Sequence, residues 1–402
     1  MEDSCVGMQY TAERTSMTST KKIKVAFVVH NMAIWSSLHN VYTLMNEAGS
    51  GFLPKVFTLP CDHTSSGNYE GEDHTYAELK AMGIKAIRPD NKTMSEHLAV
   101  LKNFAPDYLF RQTPWELHLP PEFRVGNLNS FTRLCYIPYG FLTANIEQRQ
   151  FNQEYHRSCW GIFCETKLHR LLYEKNSPDI GSRNVAATGY PRFETLWERR
   201  NEKYWPTKVS DGDTKIIWAP HHSIDTKWLG FSTFIDNHMQ FLKLARQSPS
   251  LHIVLRPHPA LFSKLLANGV PQENIDRFIH DFTSLPNTAL YEEGDYIPLF
   301  GASDLLITDG IGFFSEYMLT GKPIIYTDSG RSFGFNDAGK LLVDGLYRAT
   351  NFNEVLTSLT ALLENDDPLR ATRERIAKVL FNPSKPSPSQ QILQIIKTAH
   401  NA

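Results

Sequence analysis

Nowhere in its 402 residues does the sequence carry an apolar run near the roughly 20 residues of a membrane-spanning helix. The first 20 residues are polar, rich in Ser and Thr, and lack the apolar stretch of a secretory signal. They read as a disordered tail over 1–22 on a cytoplasmic protein, with at most a peripheral association at the inner face of the membrane. Charge of one sign is not in excess either. The 41 Lys and Arg against 43 Asp and Glu leave a net −2, which argues against a nucleic-acid partner. Five cysteines, an odd number scattered from Cys5 to Cys164 with no CxxC pair, indicate neither a disulfide framework nor a Cys-rich zinc site. What is present is ordinary for a globular chain: 41% hydrophobic and 21% charged residues can fill sizeable cores. At 402 residues there is too much chain for one core, so two domains are expected.

Short β-branched runs alternate with helical periodicities. IKVAFVVH at Ile23–His30 reads as a buried parallel strand, and Leu38, Val41, Leu44 and Met45 as one face of a helix closed by Gly49. Further strands are predicted at Lys55–Thr58, Ile84–Ile87, Tyr108–Arg111, Arg133–Ile137, Trp160–Cys164 and Val185–Thr188. A polar, Pro- and Gly-containing stretch at 201–214 reads as an interdomain linker. Beyond it come strands at Lys215–Ala219, His252–Leu255, Thr288–Tyr291, Asp304–Thr308 and Pro323–Tyr326, and a helix over Phe313–Thr320. Strand–helix alternation implies parallel sheets covered on both faces. The predicted fold is α/β with two Rossmann-like domains, at 23–200 and 215–381, facing an interdomain cleft. A closing loop and helix at 382–402 can pack back on the first domain.

In open parallel sheets ligands sit beyond the carboxyl ends of the strands, so the residues directly after each strand carry the chemistry. In the second half these are Pro220-His221-His222-Ser223-Ile224-Asp225, Arg256-Pro257-His258-Pro259 and Asp309-Gly310-Ile311-Gly312. Arg256 can pair with a phosphate through two parallel bonds, and the prolines flanking His258 stiffen its backbone. Gly310 and Gly312 let a ligand approach the start of the next helix, whose amides, near Phe313 and Ser315, suit phosphate oxygens. Asp309 suits an N-cap, and Glu316, read as first-turn, either a ribose or the helix dipole. Adjacent His221 and His222 should diverge, one packing and one facing a ligand. His221, His222 and Asp225 have a spacing that matches no structural zinc site, and with no further ligand cluster apparent no metal or other cofactor is expected. In the first half, His30 ends a strand and Tyr139-Gly140 follows one.

Four landmarks then fall in sequence: Thr188-Gly189-Tyr190-Pro191-Arg192, Ile217-Trp218-Ala219-Pro220, Arg256-Pro257-His258-Pro259, and Ser303 to Asp309 with Gly321-Lys322-Pro323-Ile324-Ile325-Tyr326. In these the sequence resembles the CDP-glycerol glycerophosphotransferase family, the teichoic-acid and capsule polymerase enzymes of bacteria, which have the GT-B arrangement. The resemblance covers most of the chain. It implies transfer of a polyol phosphate from a CDP-alcohol to a hydroxyl of a glycan or polyol-phosphate polymer. On that scheme Arg256, His258 and the helix near Phe313 neutralise the pyrophosphate, Glu316 contacts the ribose, and Arg192 belongs to the exit motif. The chain departs from the family where a His-Gly pair, with histidine as proposed general base, is replaced by Tyr139-Gly140. His30 is then the candidate base and Tyr139 a residue that orients the acceptor. The same loops would also suit a glycosyltransferase using a UDP- or CMP-sugar, a related epimerase, or a non-catalytic nucleotide-binding relative.

Overall fold

A computed structural model describes residues 21–62, 67–225, 229–292, 294–383 and 385–402. The tail expected at 1–22 lies, up to residue 20, outside these. Two wholly parallel sheets carry the fold. The first has seven strands: β1 Ile23–Val29, β2 Phe52–Thr58, β3 Ala86–Ile87, β4 Tyr108–Arg111, β5 Arg133–Tyr136, β6 Gly161–Cys164 and β7 Val185–Ala187. The second has six: β8 Thr214–Ala219, β9 Leu251–Leu255, β10 Thr288–Leu290, β11 Leu305–Thr308, β12 Ile324–Thr327 and β13 Tyr347–Ala349. Their orders, β3-β2-β1-β4-β5-β6-β7 and β10-β9-β8-β11-β12-β13, are the doubly wound pattern. In each the chain reverses direction across the sheet beside its first strand, between β1 and β4 and between β8 and β11. That is where such sheets open a crevice.

Continuous apolar runs form these strands because helices cover both faces. Val25 through Val29 of β1 and all of β9 are buried. β2 begins three residues before its apolar run, at Phe52. Its Pro54 is tolerated because β3 pairs only with Val56 and Phe57, which leaves that stretch on an edge. β13 was not anticipated. Its sequence, Tyr-Arg-Ala, has no apolar alternation, and it forms on an edge by pairing with β12. In the second half four further helices, Leu261–Ala267, Gln272–Thr283, Asp337–Val343 and Arg370–Leu380, also escaped the sequence reading.

The segment 201–214 is strapped to the second half. The Tyr204 amide donates to the Pro298 carbonyl (3.1 Å), and the Thr207 hydroxyl meets His252 Nδ1 (2.8 Å). The last helix, Pro388–Asn401, lies on the first half, where Ile392 and Ile396 are fully buried with Val25, Phe27 and Val41. Each such side chain contributes about 1.5–3 kcal/mol. Its N-terminus docks on the exit motif. The Ser389 amide donates to Glu194 Oε1 (2.6 Å), and Gly189, at φ +95°, faces Pro388 so closely that a Cβ would stand 2.8 Å from the proline ring.

The two halves also share a core. Phe141, Tyr190, Phe193 and Leu196 of the first pack with Ile217, Phe314 and Tyr326 of the second. Across this seam Asn336 donates its side-chain amide to the Leu142 carbonyl (2.9 Å), and its backbone amide to the Thr143 carbonyl (2.9 Å). Its Oδ1 accepts from the Gly339 amide, capping helix Asp337–Val343. Asn336 is 1% exposed, so Asn336→Ala would leave buried partners unpaired, each at about 1–3 kcal/mol. The urea midpoint should fall accordingly, and an unchanged midpoint would show the seam to be held elsewhere.

Candidate functional site

The loops after β8, β9 and β11 meet at the switch point of the second sheet. Asp309, directly after β11 and 1% exposed, ties them together. Its Oδ1 accepts the His221 amide, and its Oδ2 accepts the Thr233 amide (2.5 Å) and hydroxyl (2.7 Å). It is therefore not an N-cap: Gly310 holds that position, and Asp309 anchors the β8 loop instead. Burial raises its pKa to about 6, against the pull of its donors.

The β9 loop is registered by backbone. Arg256 donates its amide to the Trp218 carbonyl (2.8 Å), and His258 its amide to the Pro220 carbonyl (3.0 Å). The Arg256 side chain, 8% exposed, spends Nη1 on the carbonyls of Tyr291 and Glu292, directly after β10. Its Nε is buried with no hydrogen-bond partner. One arm of the guanidinium thus serves the protein, which leaves the Nε–Nη2 edge for the two parallel bonds expected of it towards a phosphate. The strand-end rule, applied to β10, would have found Tyr291.

His221 and His222 do not diverge. Their ring centroids lie 4.3 Å apart, and His258 approaches to 5.3 Å and 4.0 Å respectively. His221 is buried and its Nδ1 meets the Ser223 hydroxyl (2.7 Å). His222 is half-buried, and its Nδ1 has no hydrogen-bond partner. His258 is exposed, and its Nδ1 accepts the Ala260 amide (3.1 Å). Desolvation, with the neighbouring rings, lowers the His221 pKa well below 6.5; desolvation and Lys264 bring His222 to about 4. Desolvation, His222 and Arg256 likewise lower His258. The third ring, His258, comes from the β9 loop, which the strand-end rule already brings to this edge; its closeness to the adjacent pair is what the structure adds.

Helix Ile311–Met318 starts two residues earlier than expected, which moves Glu316 out of the first turn. Glu316 accepts the Tyr296 hydroxyl (2.6 Å) and faces Arg192 Nε at 3.8 Å, while the Arg192 guanidinium lies 5.4 Å from the Tyr296 ring centre. Burial raises the Glu316 pKa, against the pull of Arg192 and Tyr296. This group joins the exit motif to helix Ile311–Met318. Ser315 is wholly buried and its hydroxyl bonds the Gly312 carbonyl (3.4 Å), so it does not face a ligand. Phe313 packs on Tyr296 and Phe300. Gly312 is exposed, and a Cβ there would meet nothing within 4 Å, so the helix start is open. Gly310 is tighter, 3.0 Å from the Thr308 hydroxyl by the same measure.

In the first half the candidate base is corrected. His30 is 3% exposed, its ring 3.4 Å from the Thr113 hydroxyl and its amide bonded to Gln112 Oε1 (2.8 Å), so it does not open to the cleft. Tyr139 and Gly140 are half-buried, and burial raises the Tyr139 pKa above 10, which keeps the phenol protonated.

Residues 148–396 match the family model of CDP-glycerol:poly(glycerophosphate) glycerophosphotransferase. The chain belongs to this family. The matched stretch, more than half of the protein, holds Arg192, the histidine cluster, Arg256 and the helix after Asp309, and excludes His30 and Tyr139. Family membership makes the protein a glycerophosphotransferase-type enzyme. Solved structures share its fold. A UDP-GlcNAc 2-epimerase from Neisseria meningitidis bound to UDP-GlcNAc aligns at TM-score 0.61 and 16% identity over 95% of this chain and 100% of that one. The wall teichoic acid polymerase TagF, soaked with CDPG, aligns at 0.56 and 14% over 94% and 88%. A UDP-GlcNAc 2-epimerase from Methanocaldococcus jannaschii, in complex with UDP-GlcNAc and UDP, aligns at 0.57 and 10% over 94% and 99%. No curated protein sequence matches the chain. Among the described residues no helix is long and apolar enough to cross a membrane.

Asp309 offers a pH test of this construction. Its folded pKa of about 6 lies above the 3.8 of an open carboxyl, so the folded state takes up a proton first. The stability this adds is present at low pH and is lost as pH rises through 6. Asp309→Ala removes that dependence and strands the buried His221 and Thr233 amides. The urea-stability gap between native protein and variant should therefore widen by about 1 kcal/mol from pH 7 to pH 5. A gap that narrows would contradict the burial-raised carboxyl.

Proposed function

We propose that this protein transfers a polyol phosphate, glycerol phosphate in the first instance, from a CDP-alcohol to a hydroxyl of a cell-surface glycan or polyol-phosphate polymer. The acceptor oxygen attacks the phosphorus that carries the polyol. A new P–O bond forms, the bond to the bridging oxygen of the pyrophosphate breaks, and CMP leaves with that oxygen. The acceptor proton passes to a base or to solvent. The reaction belongs in the cytoplasm, with acceptors presented at the inner face of the membrane. The first half, 23–200, takes the acceptor and the second, 215–381, the donor.

One observation carries this reading. Within the family-matched stretch, His258, the unpartnered Nε of Arg256 and the open helix start at Gly312 all sit at strand ends flanking the β8/β11 switch point. N–H groups at a helix start and a guanidinium favour the charge that builds on the leaving phosphate. Neutral His258 donates a hydrogen bond to the same oxygens once its ring turns from the Ala260 amide. Glu316, already engaged by Tyr296 and Arg192, reaches a ribose hydroxyl through its remaining lone pairs, with Arg192 holding it in place. Tyr139, kept protonated, orients the acceptor through its hydroxyl and Gly140 leaves room beside it; the base stays unassigned now that His30 is buried.

The test is product analysis with CDP-glycerol, CDP-ribitol, UDP-sugars and CMP-sugars. CMP release with the polyol phosphate found in the product supports the proposal. Free UDP, or a sugar product without added phosphate, favours glycosyl transfer or epimerisation on the same fold. On the productive donor, His258→Ala should cost about 2–4 kcal/mol of transition-state stabilisation, as for loss of one electrostatic donor. Its urea midpoint should barely move, because the ring is exposed. Full turnover in that variant would remove His258 from the mechanism.

A further inference from the structure

Three imidazoles from two loops converge at the end of the second sheet, and their ligand nitrogens all lie within 4.8 Å of one another. We infer that His221, His222 and His258 bind a single divalent transition-metal ion of the zinc class at the mouth of the donor cleft.

Each ring is placed for this by a different feature. The backbone of His221 is pinned to Asp309, and its ring is held at Nδ1 by the Ser223 amide (3.2 Å) and hydroxyl (2.7 Å); binding through Nε2 places the ring proton on Nδ1, donated to that hydroxyl in exchange for the amide. That hydroxyl is itself fixed by the Phe231 amide (3.0 Å). A partner on the far nitrogen that sets tautomer and ring angle is what metal-binding histidines carry. His222 has a buried Nδ1 with no hydrogen-bond partner, a polar atom whose desolvation a ligand bond would offset. His258 sits between Pro257 and Pro259, on the exposed side of the cluster.

Three nitrogens around one zinc at about 2.0–2.1 Å stand about 3.3 Å apart. The cluster is wider than this, and the exposed ring is the one that can close the gap. A turn of His258 releases the Ala260 amide from Nδ1 and carries the ring towards its neighbours. The ligand chemistry selects the ion. Imidazole suits Zn²⁺, Co²⁺, Ni²⁺ and Cu²⁺, whereas Mg²⁺ and Ca²⁺ require oxygen ligands, which this trio does not offer. Three protein ligands leave a coordination position open, as at catalytic rather than structural sites. That position would face the cleft, where a phosphate oxygen or water can fill it.

This inference goes beyond the transfer reading and does not depend on the donor. It is tested without donor or turnover. The full chain is stripped with a chelator, dialysed and titrated with Co²⁺, and its visible absorption and calorimetric stoichiometry are followed. One Co²⁺ per chain, displaced by one Zn²⁺ and unaffected by excess Mg²⁺, is expected. His258→Ala, an exposed change that spares the fold, and His222→Gln should each weaken binding at least about 100-fold, the upper range for loss of even an outer-sphere partner. His280→Ala, on an exposed histidine elsewhere, should leave it intact. Absence of one-to-one binding in the native chain, or its survival in both cluster variants, would overturn the inference. Metal binding without CMP release, or the reverse, separates its fate from that of the transfer reading.

Discussion

The arrangement of the cleft hangs on the carboxylate of Asp309. A loop that leaves β8 has no ladder to hold it, and its amides must find acceptors once buried. Asp309 supplies them to His221 and Thr233 at once. With that loop fixed, Pro220 can accept the His258 amide, and the β9 loop is set beside it. The loops that bear His221 and His258 therefore gain their places through backbone bonds. Such a site is organised before a ligand arrives, which is what electrostatic catalysis requires.

A second constraint is the seam between the halves. It is built from a few specific bonds around Asn336 and an apolar cluster at Phe141 and Phe193. The last helix crosses back to the first half and begins against Gly189, so the exit motif serves as a socket. Its glycine is explained by that close approach and its positive φ. Arg192, three residues on, pairs with Glu316 across the same seam. Any movement of the halves must break or carry these contacts together.

The two first-half candidates lie outside the matched residues 148–396. Tyr139 has a raised pKa, and His30 is buried. The second half carries an imidazole-rich strand edge, where His221, His222 and His258 meet.

The sequence by itself determined the two parallel sheets and most of their strands, because a strand covered on both faces must be written as a short, dense apolar run. It also located the strand ends where function would lie, and the family landmarks, since both are local. Edge strand β13 and the four unanticipated helices were not legible, because their formation rests on what they pack against more than on their own pattern. Three facts belonged to tertiary structure alone. Glu316 is engaged by Tyr296 and Arg192, His30 is buried against Thr113, and the His258 ring comes to lie beside those of His221 and His222. Each depends on residues far apart in the chain meeting through a loop whose path is set by buried hydrogen bonds, and no spacing along the sequence encodes that path.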